Sequence, residues 1–333
     1  MNLSKPSSKV VAVVVTFNGV AWVNTCLGSL VKSRYPVEII VVDNSSSDNT
    51  TEIIEGNFTE VQLIKETVNH GFGQANNIGI SLALNQGADY VFLINQDAWV
   101  KPDTIEILLR AHQNKPQYSI LSPIHILASG RKLDPGFRSY LLRTYSETEV
   151  VGFENETEEK VAGVPFVNAA AWLVHKTCLK DTGGFGYLFY HYGEDRDYVQ
   201  RCRFYGHGVA IVTRATIVHD RESRFDAANG LADTRNFRYY YTGVLARCTD
   251  INKSLFEAVL NGLGWSLKET VYHFFSGKGL VFPLLFFRIA GKIVFSMRGI
   301  VRYRAITRSH KPFLFLDFDN GQTFPPGTAT GPS

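Results

Sequence analysis

Over the first 125 positions, short runs of β-branched apolar residues alternate with longer amphipathic stretches. The runs "VVAVVVTFN" (10–18), "VEIIVVDN" (37–44), "VQLIKE" (61–66), "YVFLINQD" (90–97) and "YSILSP" (118–123) predict strands buried in a parallel sheet. Between the first two, "GVAWVNTCLGSLVKSRYP" spaces Trp22, Cys26, Leu27, Leu30 and Val31 along one helical face that Pro36 ends. "SSSDNTTEIIEG" carries N-cap residues into a second helix, "GFGQANNIGISLALNQGA" predicts a third, and Pro102 opens a fourth in "PDTIEILLRAHQN". This alternation predicts an α/β fold, an open and mostly parallel sheet with helices on both faces. Such sheets bind ligands outside the carboxyl ends of their strands, which singles out Thr16–Asn18, Asp43–Ser46 and Asn95–Asp97.

The pattern breaks over 126–165, where "SGRKLDPG" and "ENETEEK" look like a hairpin or mobile insertion. "FVNAAAWLVHK" (166–176) then reads as a strand, "YGEDRDYVQRCRFYGHG" (192–208) as a helix entered through glycine, and "GVAIVTRATIVHD" (208–220) as one or two strands ending at His219. From about residue 230 the chain reads as helical. The expected organisation is a first domain over 1–228, in two halves at 9–125 and 126–228. A helical, basic and apolar region follows over 229–312, then a partly disordered tail at 313–333.

Composition narrows the partners. A chain of 333 residues, 45% hydrophobic, can bury a large core. The net charge of +3 is too small to make nucleic acid the partner. Cys26, Cys178, Cys202 and Cys248 have neither zinc nor disulfide spacing, so a reducing cytoplasm is expected. No apolar run precedes the first strand, so no signal peptide is expected. "LVFPLLFFRIAGKIVFSM" is broken by Pro283, Arg288 and Lys292 and is too interrupted to span a bilayer. Residues 276–311 mix Phe, Leu and Ile with Lys and Arg and contain no acid, which suits an anionic membrane surface or packing against the catalytic domain or another subunit.

Several residues carry candidate chemistry. Asp97 ends an apolar strand at the ligand edge, where one carboxylate plus diphosphate oxygens would suit Mg²⁺ or Mn²⁺; capping the next turn is the plainer role. Asp43 ends another strand, where it can accept hydrogen bonds from a ribose or base. In "NHGFGQANNIGI", Gly71 and Gly73 permit close backbone approach beside Asn76 and Asn77 at a helix start. His219 closes an apolar strand as a metal ligand or a structural histidine. Glu194, Asp195 and Asp197 crowd one helix N-terminus; Asp197 and Arg201, an i,i+4 pair, read as structural.

In order and approximate spacing, "VVVTFN", "EIIVVDNSSSDNT", "NHGFGQANNIGI", "YVFLINQD" and "YGEDRDYVQRCRFYGHGV" resemble family 2 glycosyltransferases of the GT-A fold. The "NQD" version, with "RNFRYYY" later, looks most like bacterial rhamnosyltransferases of surface-polysaccharide assembly. The resemblance implies an inverting transfer of a sugar from a nucleotide-diphosphate sugar, dTDP-rhamnose or a UDP-sugar, to a hydroxyl of a glycan or lipid-linked acceptor. It places Thr16, Asn18, Asp43, Gly73, Asn77, Asn95 and Gln96 at the nucleotide. It makes Asp97 and His219 ligands of Mg²⁺ or Mn²⁺, although Asn95 replaces the first Asp of D-x-D. Asp195 matches the catalytic base, with Glu194 beside it. Ala170 and Trp172 fall in the segment lining the donor sugar and acceptor, where Trp172 would stack on a sugar or simply pack in the core. A cytoplasmic enzyme peripheral to the inner face of the cell membrane is expected, with oligomerisation left open. A nicotinamide oxidoreductase needs G-x-G-x-x-G after the first strand, which "TFNGVAWVN" lacks. A nucleotidyltransferase lacks its glycine-rich basic loop for the same reason, and a non-catalytic sugar-nucleotide or polysaccharide-binding protein stays as the alternative.

Overall fold

The computed structural model describes residues 8–130, 132–155, 159–220, 234–275 and 281–308. The expected disorder of 313–333 lies outside these residues. Among the described residues nine strands form one sheet: β1 (Val10–Thr16), β2 (Glu38–Asp43), β3 (Gln62–Lys65), β4 (Tyr90–Asn95), β5 (Ala98–Val100), β6 (Tyr118–Ile126), β7 (Val161–Gly163), β8 (Ala171–His175) and β9 (Gly208–His219). Their order is β3-β2-β1-β4-β8-β6-β9-β5, with β7 added on β9. The first four strands pair in parallel. Beyond β4 the sheet is mixed: β8 runs antiparallel to β4 and β6, β9 runs parallel to β6, and β5 and β7 run antiparallel to β9.

Successive side chains on a strand point to opposite faces, and the two cores follow that rule. Val11, Val13, Val91 and Leu93 pack with α3 (Phe72–Asn85), Trp172 and Tyr198 on one face. Val10, Ala12, Val14 and Phe92 pack with α1 (Val23–Val31) and α4 (Thr104–Asn114) on the other. α2 (Thr50–Asn57) lies between β2 and β3 in the chain.

The segment 126–165 departs from the expected loop. It contains α5 (Pro135–Leu141), α6 (Glu147–Asn155) and β7. Asp134 caps α5 by accepting a hydrogen bond from the Phe137 N–H at 2.8 Å, and Pro135 occupies the first turn. After α7 (Lys176–Thr182) and α8 (Glu194–Phe204), the chain closes with α9 (Thr234–Cys248), α10 (Leu255–His273), α11 (Val281–Phe295) and α12 (Met297–Arg308). A third core joins Val244, Ile289, Ile293, Ile300 and Tyr303 of these helices to Phe189, in the loop before α8.

Candidate active site

β4 stops at Asn95, and two residues of turn lead into β5, which pairs antiparallel with the end of β9 so that Ala98 faces His219. That pairing brings together two residues 122 positions apart (219 minus 97). His219 Nε2 lies 3.7 Å from Asp97 Oδ1, and Asp134 Oδ2 lies 3.2 Å from His219 Nδ1, all three side chains being buried. The Asp97 carbonyl also accepts a hydrogen bond from the Asp220 N–H at 2.9 Å.

Neither ring nitrogen of His219 makes a hydrogen bond of acceptable geometry among the described residues. A buried imidazole in that state, facing one carboxylate and backed by another, fits a divalent cation at Nε2 with Asp134 orienting the ring from behind. Among the described residues no cluster of three or more His, Cys, Asp or Glu is arranged to hold a metal by itself. The remaining ligands would therefore be oxygens of a bound molecule, and an imidazole in the set suits Mn²⁺ better than Mg²⁺. Asp134 was missed in the sequence; the Asp-Pro-Gly-Phe signature of a capped helix was there to be read.

The catalytic candidates occupy the first turn of α8. Gly193 holds a left-handed conformation (φ 92°), and a Cβ there would come 3.0 Å from Phe189 and 3.1 Å from the Thr242 carbonyl, so glycine is required. Asp195 accepts a hydrogen bond from the Arg196 N–H at 2.7 Å, and the nearby Ala169 N–H favours its ionised form. The next residue, Ala170, accepts from the Asn95 N–H at 2.9 Å. This chain of contacts ties Asp195 to the strand edge that carries Asp97 and His219. Burial raises the Asp195 carboxyl, opposed by the Arg196 charge and the N–H donors. Glu194 is pushed up to about 8 by burial and then by the charge of Asp195. Its buried Oε2 has no hydrogen-bond partner, which a protonated carboxyl tolerates better than a carboxylate. Both carboxyls are thus held above their ordinary range, burial being the larger cause for each, and they titrate as a pair.

The residues expected at the nucleotide hold the loops at this edge together. The Thr16 hydroxyl donates to Asp43 Oδ1 at 2.8 Å, and Ser46 donates to both Asp43 oxygens, through its hydroxyl (2.6 Å) and N–H (2.9 Å). Asn18 Oδ1 accepts from the Ser47 N–H at 2.9 Å, and the Gln96 amide pairs with both backbone groups of Phe17 at 2.9 and 3.1 Å. Asn95 Oδ1 is buried and has no partner. All three non-glycine residues with positive φ among those described, Asn18, Ser45 and Tyr192, flank this mouth. Strained backbone of this kind persists where the surroundings over-determine it, often at functional sites.

Four more of the candidates are buried or already engaged. Gly73 and Asn77 do not line an open nucleotide cradle: the buried Asn77 amide donates to the Phe185 carbonyl (2.9 Å) and accepts from its N–H (2.7 Å). A Cβ on Gly73 would sit 2.9 Å from Phe185. Both residues clamp the loop that leads to α8. Trp172 is 0% exposed and packs near Phe185 and Tyr198, out of reach of a sugar. Its alternation on β8 turns it inward. Ala170 is likewise buried and offers its backbone. Asp197, by contrast, takes the structural role expected of it: it bonds Arg201 Nε (2.8 Å), Thr249 (2.9 Å) and the Tyr303 hydroxyl (2.5 Å).

The profile of the family described as "Glycosyl transferase family 2" matches residues 11–181, just over half of the chain. The chain belongs to glycosyltransferase family 2. Among relatives of this family, an N-acetylglucosaminyl-diphospho-decaprenol L-rhamnosyltransferase of Mycobacterium tuberculosis is 24% identical over 69% of this chain and 82% of its own length. Two Streptococcus pneumoniae glycosyltransferases, GlyA and GlyG, are 30% and 32% identical, but the matches span only 15% and 36% of their lengths. Among solved structures, the mannosyltransferase PcManGT of Pyrobaculum calidifontis, in complex with GDP-Man and Mn²⁺, aligns with a TM-score of 0.54 at 15% identity over 91% of this chain and 80% of its own. S. aureus TarS 1–349 aligns with a TM-score of 0.53 at 16% identity over 91% of both chains. The family member described here thus has the GT-A fold.

Proposed function

We propose that this chain is an inverting, metal-assisted glycosyltransferase that passes a sugar from a nucleotide-diphosphate sugar to a hydroxyl of a glycan or lipid-linked acceptor in bacterial surface-polysaccharide assembly. The observation that carries the reading is the short route from Asp195, beside the Ala169 backbone, along the chain to the Ala170 carbonyl, which accepts from the Asn95 N–H at the edge holding Asp97 and His219. Asp195 takes the proton from the acceptor hydroxyl as it attacks the anomeric carbon from the face opposite the leaving diphosphate, a contribution of about two to four orders of magnitude. Glu194, holding its proton, keeps a second negative charge away from the attacking oxygen. Asp97 and His219 would hold Mn²⁺, which would neutralise charge developing on the diphosphate. The similarity to the mycobacterial rhamnosyltransferase supports dTDP-rhamnose as donor, with UDP-sugars as the next choice.

The acceptor is reached at a membrane surface. No described helix is long and apolar enough to cross a bilayer. Instead, Phe256, Leu260, Leu267, Val271 and Phe275 form an exposed stripe along and just beyond α10, and Leu284, Phe287, Val294 and Phe295 form another on α11. Phe275 is 81% and Phe295 92% exposed, unusual for a protein in water alone. The cations of α11 are partly diverted: Arg288 lies over Phe237 and Lys292 over Tyr241. Apolar insertion therefore outweighs headgroup attraction in this segment.

Donor turnover measured with Mn²⁺, with Mg²⁺ and with EDTA tests the catalytic reading. Wild type turns over with Mn²⁺ and stalls in EDTA. Asp195→Asn loses about two to four orders of magnitude in rate while nucleotide diphosphate still binds. Undiminished turnover in Asp195→Asn sinks the assignment of the base.

A further inference from the structure

The outward face of α8 carries Arg196, Gln200 and Arg203 at spacings of four and three, one stripe of the helix. With Arg247 of α9 and with Asp250 and Lys253 of the turn after it, they line a cavity of about 390 Å³. That is within the range of small-molecule sites. The charged members are four cations and one acid, a local excess of three positive charges. The acid is already engaged. Asp250 Oδ1 accepts from the Asn252 N–H at 3.1 Å and its side-chain amide at 2.9 Å, and Oδ2 lies 3.9 Å from Lys253 Nζ.

Two of the arginines sit over aromatic rings. Arg196 lies 4.5 Å over the Phe166 ring, and Arg247 lies 4.0 Å over Trp265 while donating one bond to the Gly243 carbonyl. Stacking fixes the plane of a guanidinium and leaves N–H groups on its edge for a planar or tetrahedral anion. Burial, then the charges of Arg196 and Arg143, brings the Arg247 guanidinium down to about 10. Like charges crowded in a half-buried place are destabilising by themselves, and a bound anion reverses that.

We propose that this cavity is a phosphoryl-group site, in which Arg196 and Arg247 bind the phosphate or diphosphate borne by the acceptor and so set its hydroxyl against Asp195. The role given to Asp195 rests on the glycosyl-transfer reading. The site itself does not: it begins at the very next residue of α8, and neither Asp97 nor His219 lines it. Paired guanidinium edges match the oxygens of a phosphate with two parallel N–H donors each.

The test is calorimetric titration of the full chain in EDTA, with inorganic pyrophosphate and with glucose 1-phosphate as separate probes. A third arm uses vesicles of phosphatidylglycerol. Both soluble probes bind wild type and Asp97→Asn alike. Arg247→Gln weakens both roughly tenfold to a hundredfold, the usual loss for one charged hydrogen-bonding partner. Lys253→Gln weakens them several-fold; its side chain is at the surface, so this variant folds even if Arg247→Gln, which loses its contact with Trp265, does not. Absence of binding, or binding lost in Asp97→Asn and kept in Arg247→Gln and Lys253→Gln, overturns the proposal. Vesicle binding that depends on Arg247 and Lys253 without any affinity for the soluble probes also overturns it, by making the cluster a lipid-headgroup contact. Probe binding as described in a protein that turns over no donor leaves this site standing and sinks the catalytic reading instead.

Discussion

Glu194→Gln tests the electrostatics of the α8 mouth through stability. Glu194 is 6% exposed and its carboxyl is pushed from an ordinary 4.5 up to about 8. In the unfolded chain the group ionises above about pH 4.5, while in the folded chain it keeps its proton to about pH 8. Between those values the folded state binds more protons than the unfolded state, so stability falls as pH rises, by about 1.4 kcal/mol per unit. At pH 7 the accumulated loss is roughly 3 kcal/mol, and above pH 8 it levels off. Glutamine has the same shape and no proton to lose. The variant therefore matches wild type near pH 5 and exceeds it by roughly 3 kcal/mol at pH 7, a rise of about 4–6 °C in melting temperature for a chain of this size. Urea unfolding of both proteins at pH 5, 6, 7 and 8 reads the difference directly. Because burial outranks the Asp195 charge among the causes, Asp195→Asn retains most of the wild-type slope. Parallel stability curves for wild type and Glu194→Gln across this window would refute the reasoning.

Three further outcomes follow from named contacts. Tyr303→Phe removes a bond to the fully buried Asp197 and lowers stability by about 1–3 kcal/mol in urea unfolding, with little change in fluorescence of the folded state. Gly193→Ala forces a Cβ into a left-handed position against Phe189 and the Thr242 carbonyl, costing about 1–3 kcal/mol and lowering donor turnover, because the first turn of α8 shifts with it. The triple substitution Phe275→Ser, Phe287→Ser and Phe295→Ser abolishes flotation with liposomes while leaving the melting temperature within a few degrees; unchanged flotation would refute membrane insertion by this stripe. Point changes are preferable to cutting the chain at residue 275, since that deletion removes Tyr303 from the buried Asp197 cluster.

The parallel half of the sheet was legible because each of its strands is a local pattern. The apolar runs of β1, β2 and β4 carry their own signal, and the polar residues that end them mark the ligand edge. The helix at Glu194 was equally legible, since a glycine followed by acids is a local statement about a helix start. The approach of His219 to Asp97 is different in kind. It depends on β5, three residues long, pairing with the far end of β9, and no periodicity announces a register between segments so distant. The same holds for Asn77, whose polar side chain on a helix near a glycine looks like a ligand contact until the Phe185 backbone is seen to use both ends of its amide. For Trp172 two roles were open, and its burial in the core of the mixed sheet favours packing over stacking on a sugar.

Helix α8 shows why the C-terminal helices belong to the same working unit. Its residues divide by helical angle into three sets. The first turn presents Glu194 and Asp195 toward the sheet edge. The inward set, Asp197, Tyr198, Arg201 and Cys202, is buried, and Asp197 within it receives the hydroxyls of Thr249 from the end of α9 and Tyr303 from α12. Arg201 spends its other donors on the carbonyls of Thr182 (2.8 Å) and Gly184 (2.7 Å), which fixes the loop running toward Gly193. The outward set, Arg196, Gln200 and Arg203, faces the cavity that α9 and its following turn complete. A buried carboxylate held by an arginine and two hydroxyls is a poor source of net stability compared with apolar packing, but breaking it is costly, typically about 3–5 kcal/mol. Such a cluster resists gradual displacement, so α9 and α12 set the position of α8, and through it the position of Asp195 relative to Asp97.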